Sequence, residues 1–383
     1  MTVKTFIGKV HLWLGLVSGL IVFIVAITGC LFSFQKEISD AIYHKTIFIT
    51  PPKHAQTLPL SVLQQNAQVV LTAQRPINYI TAHKDESKAW EFMAYKTNEK
   101  AITYWGAVEY YTSVFINPYT GDVTGVRNYK NDFFYIIKYL HWSLLLGTQY
   151  GQPIVGWSTL IFVVLLISGL VLWWPKKWNR AEKQKAFTIK WKAKFKRLNY
   201  DLHNVPGFYS LLIALILALT GLVWSFKWFY GLTYVVANGS AKLPDFKNVQ
   251  SDTTARYSAS ANDIAFSFAK NNMTDAKRIG ISVPETKSDV ISIYGYPYNE
   301  VYYGFEQMQF DRYSGKLLNA RKHKEKKGGE KFLEMNYDIH VGAIGGITGK
   351  FIAFFASLIA ASLPVTGFII WLGKKRKTSF KPR

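Results

Sequence analysis

The chain has 383 residues, of which 49% are hydrophobic, 16% aromatic and only 18% charged, and the apolar residues lie in blocks, which excludes a disordered chain and an ordinary row of soluble domains. A formal charge of +22 invites a nucleic-acid reading until the basic residues are located. The single cysteine, Cys30, excludes a disulfide framework, a Cys-ligated zinc site and a Cys-bound iron–sulfur cluster.

Residues 1–34 read as a first transmembrane helix, because the run 11–34 meets the roughly 20 mainly apolar residues needed to cross about 30 Å of hydrocarbon. Residues 35–135 have globular composition and read as an external domain. Residues 136–174 read as an outer histidine segment followed by a second span at 154–174. A basic cytoplasmic loop at 175–202 leads into a third transmembrane helix, 203–227, with its apolar run at 205–226. A second external domain at 228–335 follows, then an outer histidine segment and fourth helix within 336–372, with the run 350–372, and a basic cytoplasmic tail at 373–383.

Of the 46 Lys and Arg, 18 lie in 1–10, 175–202 and 373–383, against two acids, Glu182 and Asp201. The long loops are nearly balanced, so the positive-inside rule puts both termini and the 175–202 loop in the cytoplasm. The positive charge is thus topology, and the partner it implies is a lipid bilayer rather than a nucleic acid.

Cys30, after Lys4, Lys9 and an apolar run, also fits a lipoprotein signal. Against that, Thr28-Gly29-Cys30-Leu31-Phe32-Ser33-Phe34 recurs as Thr220-Gly221-Leu222-Val223-Trp224-Ser225-Phe226 without the cysteine. The recurrence is general. His11 precedes Thr28 by 17 residues, as His203 precedes Thr220; His141 precedes Ser168-Gly169, and His340 precedes Thr366-Gly367, at nearly equal spacing. The expectation is two tandem halves, each span, external domain, span, related by a pseudo-two-fold axis along the membrane normal. Each external domain is expected to hold a helix, Ser61–Thr72 or Ala259–Lys270, and strands such as Trp90–Tyr95 or Val290–Tyr296. A turn closes each, Asn117-Pro118-Tyr119-Thr120-Gly121 or Asp311-Arg312-Tyr313-Ser314-Gly315.

Four of eight histidines, His11, His141, His203 and His340, occupy equivalent places; His44, His54, His83 and His323 have no counterpart and read as solvated. One such histidine alone reads as well as a headgroup-level hydrogen-bonding residue. Repetition puts His11 and His203 near the cytoplasmic surface and His141 and His340 near the outer one, each pair facing across the axis. Two facing imidazoles at each of two depths are what a pair of bis-histidine haems requires. Without a Cys-x-x-Cys-His, the groups expected are two haem b held non-covalently. Gly15 and Gly19 follow His11, and Gly207 follows His203, on one helix face; this serves a flat macrocycle or tight helix packing alike. Asp201 and Asp338, each two residues before a histidine, are expected to cap helices, and Gly151-Gln152-Pro153 to break the helix after His141.

His11-x-x-x-Gly15 with Thr28-Gly29, Asn117-Pro118-Tyr119-Thr120-Gly121, Leu140-His141-Trp142, Asp201-Leu202-His203 and Asp338-Ile339-His340 together resemble the PepSY-associated transmembrane family over nearly the whole chain. Some of its members look like inner-membrane di-haem reductases of ferric siderophores. The resemblance implies a membrane protein, mainly α with α+β external modules: four transmembrane helices in two parallel pseudo-two-fold repeats, each carrying a PepSY-like external domain. It also implies a bacterial inner-membrane oxidoreductase, with one haem on His11 and His203 and another on His141 and His340, reducing an external ferric siderophore or other ferric chelate. The second turn lacks the family's proline. No nucleotide motif is present, so the electron donor is a separate quinol or soluble reductase. A non-enzymatic PepSY-domain protein that binds peptides or partner proteins is the alternative, and a permease a third, disfavoured by spans almost free of charge.

Overall fold

The computed structural model describes residues 1–53, 56–242, 249–255, 258 and 260–379, with side chains as far as 373. His54 and Ala259 lie outside them. The principal helices are α1 (Val3–Phe32), α2 (Leu60–Leu71), α3 (Phe133–Ser143), α4 (Thr148–Trp173), α5 (Phe195–Ser225), α6 (Ala261–Asn272), α7 (Gly328–His340) and α8 (Gly346–Ser379). The strands are β1 (Tyr79–His83), β2 (Trp90–Thr97), β3 (Val108–Ile116), β4 (Val123–Asn128), β5 (Arg278–Ser282), β6 (Ile291–Tyr296), β7 (Glu306–Phe310) and β8 (Leu317–Arg321). The chain divides into a helical unit, Met1–Ser33, Ile136–Tyr230 and Ile339–Arg383, and a sheet unit, Phe34–Tyr135 and Gly231–Asp338.

In the helical unit, α1, α4, α5 and the segment Ala343–Gly373 are long and apolar enough to cross a membrane. They form a ring in which α1 packs on α4 and α8, and α5 packs on the same two helices. The ring is lined by small residues, among them Ser18, Gly19, Ser158, Ser210, Ala214, Ala353, Ala356 and Ala360, while Trp13, Val17, Leu20, Leu212, Phe355 and Phe368 point outward. That inversion of a soluble core suits lipid, where close backbone packing replaces hydrophobic burial. Hydroxyls within the helices bond back to carbonyls of the preceding turn, as Ser18 Oγ does to Leu14 O at 2.9 Å and Thr159 Oγ1 to Val155 O at 2.8 Å.

The break after His141 is not where the glycine and proline suggest. Gly151 and Pro153 lie inside α4, near its start, where Pro153 removes only one backbone bond. The chain turns instead at Leu144 and Leu145, both left-handed (φ +56° and +59°), a conformation costing a non-glycine residue about 1–2 kcal/mol. Gly151 is required for another reason: a Cβ there would lie 1.8 Å from Ser143 O, so only glycine lets α4 start against the end of α3.

In the sheet unit the eight strands among the described residues form one antiparallel sheet of order β4-β3-β2-β1-β5-β6-β7-β8. The segments 35–135 and 228–335, expected to be separate domains, therefore give four strands each to one sheet, joined by β1 and β5 with Ile80 opposite Ile281 and His83 opposite Arg278. Alternation sorts the faces. Ile80, Phe92, Val114, Ile281, Ile293 and Phe310 point to one side and pack with Leu63 and Ala67 of α2 and Ala265 and Ala269 of α6. Asp263 of α6 accepts from the backbone N–H (2.9 Å) and hydroxyl (2.5 Å) of Ser61, tying the two helices together. The other face carries Tyr79, His83, Glu91, Tyr95, Arg278 and Tyr296. Both turns form as expected, with Gly121 at φ +79° and Gly315 at φ +71°, and the side chains of Asn117 and Asp311 each accept from the backbone N–H two residues on, at 3.0 Å.

His44 is exposed, as expected. His83 and His323 are not simply solvated. His323 stacks edge-on at 4.7 Å from Tyr303 and sits 3.4 Å from Glu334. His83 is half-buried on β1, and burial, with Lys88, Arg278 and Lys36 nearby, pushes its pKa down to about 3. An imidazole so held is neutral in the folded chain. Its contribution to stability is complete above the unfolded value of about 6.5 and is lost as the pH falls toward 3. His83→Gln is expected to flatten the fall of the melting temperature across that window; an unchanged pH profile would show that His83 does not titrate with folding.

Candidate cofactor-binding site

All four equivalent histidines lie in the helical unit, and each is held in the same way. His11 Nδ1 lies 2.9 Å from Ser168 Oγ, His203 Nδ1 2.9 Å from Thr366 Oγ1, His141 Nδ1 3.2 Å from Thr28 Oγ1, and His340 Nδ1 2.9 Å from Thr220 Oγ1. His141 Nδ1 also lies 2.8 Å from the carbonyl of Val25. In all four cases the residue after the hydroxyl is glycine, and the imidazole edge rests on it. A Cβ built on Gly169, Gly367, Gly29 or Gly221 would lie 3.3–3.4 Å from the Cε1 of His11, His203, His141 or His340 respectively.

Two spans serve each other. α1 supplies His11 and the Thr28-Gly29 cradle, while α3 and α4 supply His141 and the Ser168-Gly169 cradle. α5 likewise supplies His203 and Thr220-Gly221 against His340 of α7 and Thr366-Gly367 of α8. Across that exchange the histidines meet their counterparts. His11 and His203 line one cavity of about 820 Å³, walled by Gly8, Gly15, Gly19 and Gly207 and by Phe23, Phe162, Trp173 and Phe208. The rings of His141 and His340 lie side by side with centroids 6.0 Å apart and planes inclined at 68°, and Trp224 lies edge-on to His340 at 5.2 Å.

This arrangement fits an axially ligated macrocycle. A hydrogen bond at Nδ1 fixes the ring and leaves Nε2 as the ligating atom, the usual outer-sphere support of a metal-bound histidine. An iron bound between two imidazoles, at about 2.0–2.1 Å from each nitrogen, would need ring centroids roughly 6 Å apart, and the His141 and His340 rings meet that spacing. Among the described residues no three His, Cys, Asp or Glu side chains converge, so two histidines alone would leave a bare tetrahedral ion half-coordinated. Haem iron, with four equatorial nitrogens of its own, needs only the axial pair.

The hydroxyls were legible as landmarks of the repeat, but not as holders of the histidines, because the partners lie 113–163 residues apart. No local pattern marks Asn199, yet, buried on α5, it donates to the Thr366 carbonyl at 3.0 Å and fixes that helix beside His203. The two aspartates do not cap the ligand helices. α5 begins at Phe195, and Asp201 pairs with Arg197 at 2.9 Å and accepts from Lys190 N–H at 3.2 Å. Asp338 lies in the last turn of α7 and accepts from the backbone N–H groups of Tyr302 and Tyr303 at 2.8–3.1 Å. Residues two apart on a helix point to nearly opposite sides, so each aspartate anchors a loop behind its histidine.

Thr366→Val and Ser168→Ala are expected to weaken retention of any metal-bearing group ligated by His11 and His203 by about 10–100-fold while leaving the other pair intact. Cofactor loss during dialysis against apomyoglobin measures this; unchanged retention would reduce the hydroxyls to helix packing.

A search of the curated proteins found no match. The PepSY-associated TM region family matches residues 9–374, a stretch that holds all four histidines and their cradles. The chain is a membrane protein and belongs to the PepSY-associated TM region family.

Proposed function

We propose that this chain is a transmembrane electron-transfer protein of the bacterial inner membrane, with two haem b groups, that reduces an external ferric chelate such as a ferric siderophore. The observation that carries this reading is the fourfold histidine, hydroxyl and glycine cradle, which engages Nδ1 and leaves Nε2 for a ligand on two neighbouring pairs. His11 and His203 would hold one haem, His141 and His340 the other. When bound, these groups supply one-electron oxidation and reduction, and weakening of hard oxygen ligation on reduction would release the iron. The chain's part is to fix four imidazoles, clear a cavity with glycines, and keep water out with a ring of apolar helices.

The symmetric strand order, with β1 beside β5, and the paired cradles support two parallel repeats, each bringing one PepSY-like domain to the sheet unit. The basic segments support cytoplasmic termini and external loops between the spans. A quinol or a soluble reductase at the 175–202 loop would act as donor. Protein reduced with dithionite and freed of excess is expected to reoxidise on anaerobic addition of a ferric siderophore, with a ferrous trap colouring in step. Protein that stays reduced would contradict this function.

A further inference from the structure

On the polar face of the sheet, Arg278 of β5 is clamped between two tyrosines, its guanidinium carbon 4.4 Å from the ring centre of Tyr296 and 4.5 Å from that of Tyr302. Its Nε and Nη2 are buried without a hydrogen-bond partner, and so is Nδ1 of His83, directly opposite on β1. Nε and Nη2 are the adjacent donors of the guanidinium fork, the pair that meets both oxygens of a carboxylate side-on. A buried charge with its fork unanswered is costly, so these two donors favour an acceptor brought by a ligand.

The nearby acids do not supply it. Asp338 is fully buried, and burial raises its carboxyl even with Arg278 nearby, but its oxygens are taken by the N–H groups of Tyr302 and Tyr303. Asp85, which acts on His83, is held by Ser87 at 2.6 Å. Lys36 and Lys88 add positive charge around His83, with Lys36 already paired to Asp40. Tyr302 is 43% exposed, so one side of the clamp opens to solvent.

We infer that Arg278, Tyr296, Tyr302 and His83 form a binding site for a carboxylate, carried by an anionic carboxylate chelate of a trivalent metal. Two N–H donors in one plane select a planar oxyanion, and the tyrosine faces hold the guanidinium so that little is lost in ordering it. That the carboxylate belongs to a trivalent-metal chelate, and that this chelate is the electron acceptor, rests on the function proposed above, and the test separates the two.

Gallium(III) citrate is redox-inert, so calorimetric titration of the purified full chain reads binding without any reduction. Wild type is expected to bind it, Arg278→Gln at least tenfold more weakly, and Arg278→Lys, which keeps the charge but not the fork, also more weakly. Tyr302→Ala, at an exposed position, is expected to lose several-fold and serves if the arginine variants do not fold. No binding by wild type, or equal binding by the variants, overturns the site. Metal-free citrate binding as tightly as the gallium complex overturns the assignment to a chelate. Gallium citrate binding that depends on Arg278, in a chain that reduces no ferric chelate, leaves the site standing and removes the function proposed above.

Discussion

His141→Ala and His340→Ala are expected to remove the same haem, and His11→Ala and His203→Ala the other. Each pair shares one location: the His141 and His340 rings lie 6.0 Å apart, and His11 and His203 line one cavity. A haem held there would lose one of its two protein ligands, so with two haems of equal absorbance the low-spin signal should fall by about half in every single variant. A double variant within a pair should look like a single one; a double across pairs should lose nearly all the absorbance. Coupling of His11 to His141 instead would mean that ligation runs within a half, against the geometry.

Substitution of the cradle glycines should act with opposite signs on helix and site. Alanine in place of glycine in a helix interior ordinarily gains about 1 kcal/mol. At Gly29, Gly169, Gly221 or Gly367 the new Cβ meets an imidazole edge at 3.3–3.4 Å, which the ring can absorb by moving a few tenths of an ångström. Alanine variants are therefore expected to keep the haem with a small spectral shift. Valine adds branches that reach past Cβ into the imidazole itself, so Gly221→Val should release the haem of His340, and Gly169→Val that of His11, as completely as removing the histidine. Full haem content in the valine variants would mean that the imidazoles do not rest on these glycines in the loaded protein.

The spans were plain in the sequence because a soluble fold rarely holds an unbroken apolar run of membrane length, though the helices begin earlier than the apolar runs: α5 starts at Phe195, ahead of the run at 205. The hairpin turns were equally plain, since Asn117 to Gly121 and Asp311 to Gly315 are closed by local bonds. What local pattern cannot carry is a contact made across the fold. The Ser168 and Thr366 hydroxyls look like ordinary helix residues, and each does bond to its own preceding turn, at 2.7 and 2.9 Å. Only folding brings the histidines to them. Asp201 and Asp338 sit where caps are common, but their helices extend well before them, and both, fully buried, turn to loop N–H groups instead. His83 belongs to a short strand, and the charge that acts on it, Arg278, is 195 residues away and brought opposite by the β1–β5 pairing.

Haem content of the purified chain tests the central claim most directly. Pyridine haemochrome assay against protein concentration, in cells supplied with haem precursor, is expected to give about two haem b per chain, with a low-spin bis-histidine reduced-minus-oxidised spectrum. A ratio near one would make one histidine pair structural. A ratio near zero would contradict the account, leaving four cradled histidines in a membrane protein that carries no electrons.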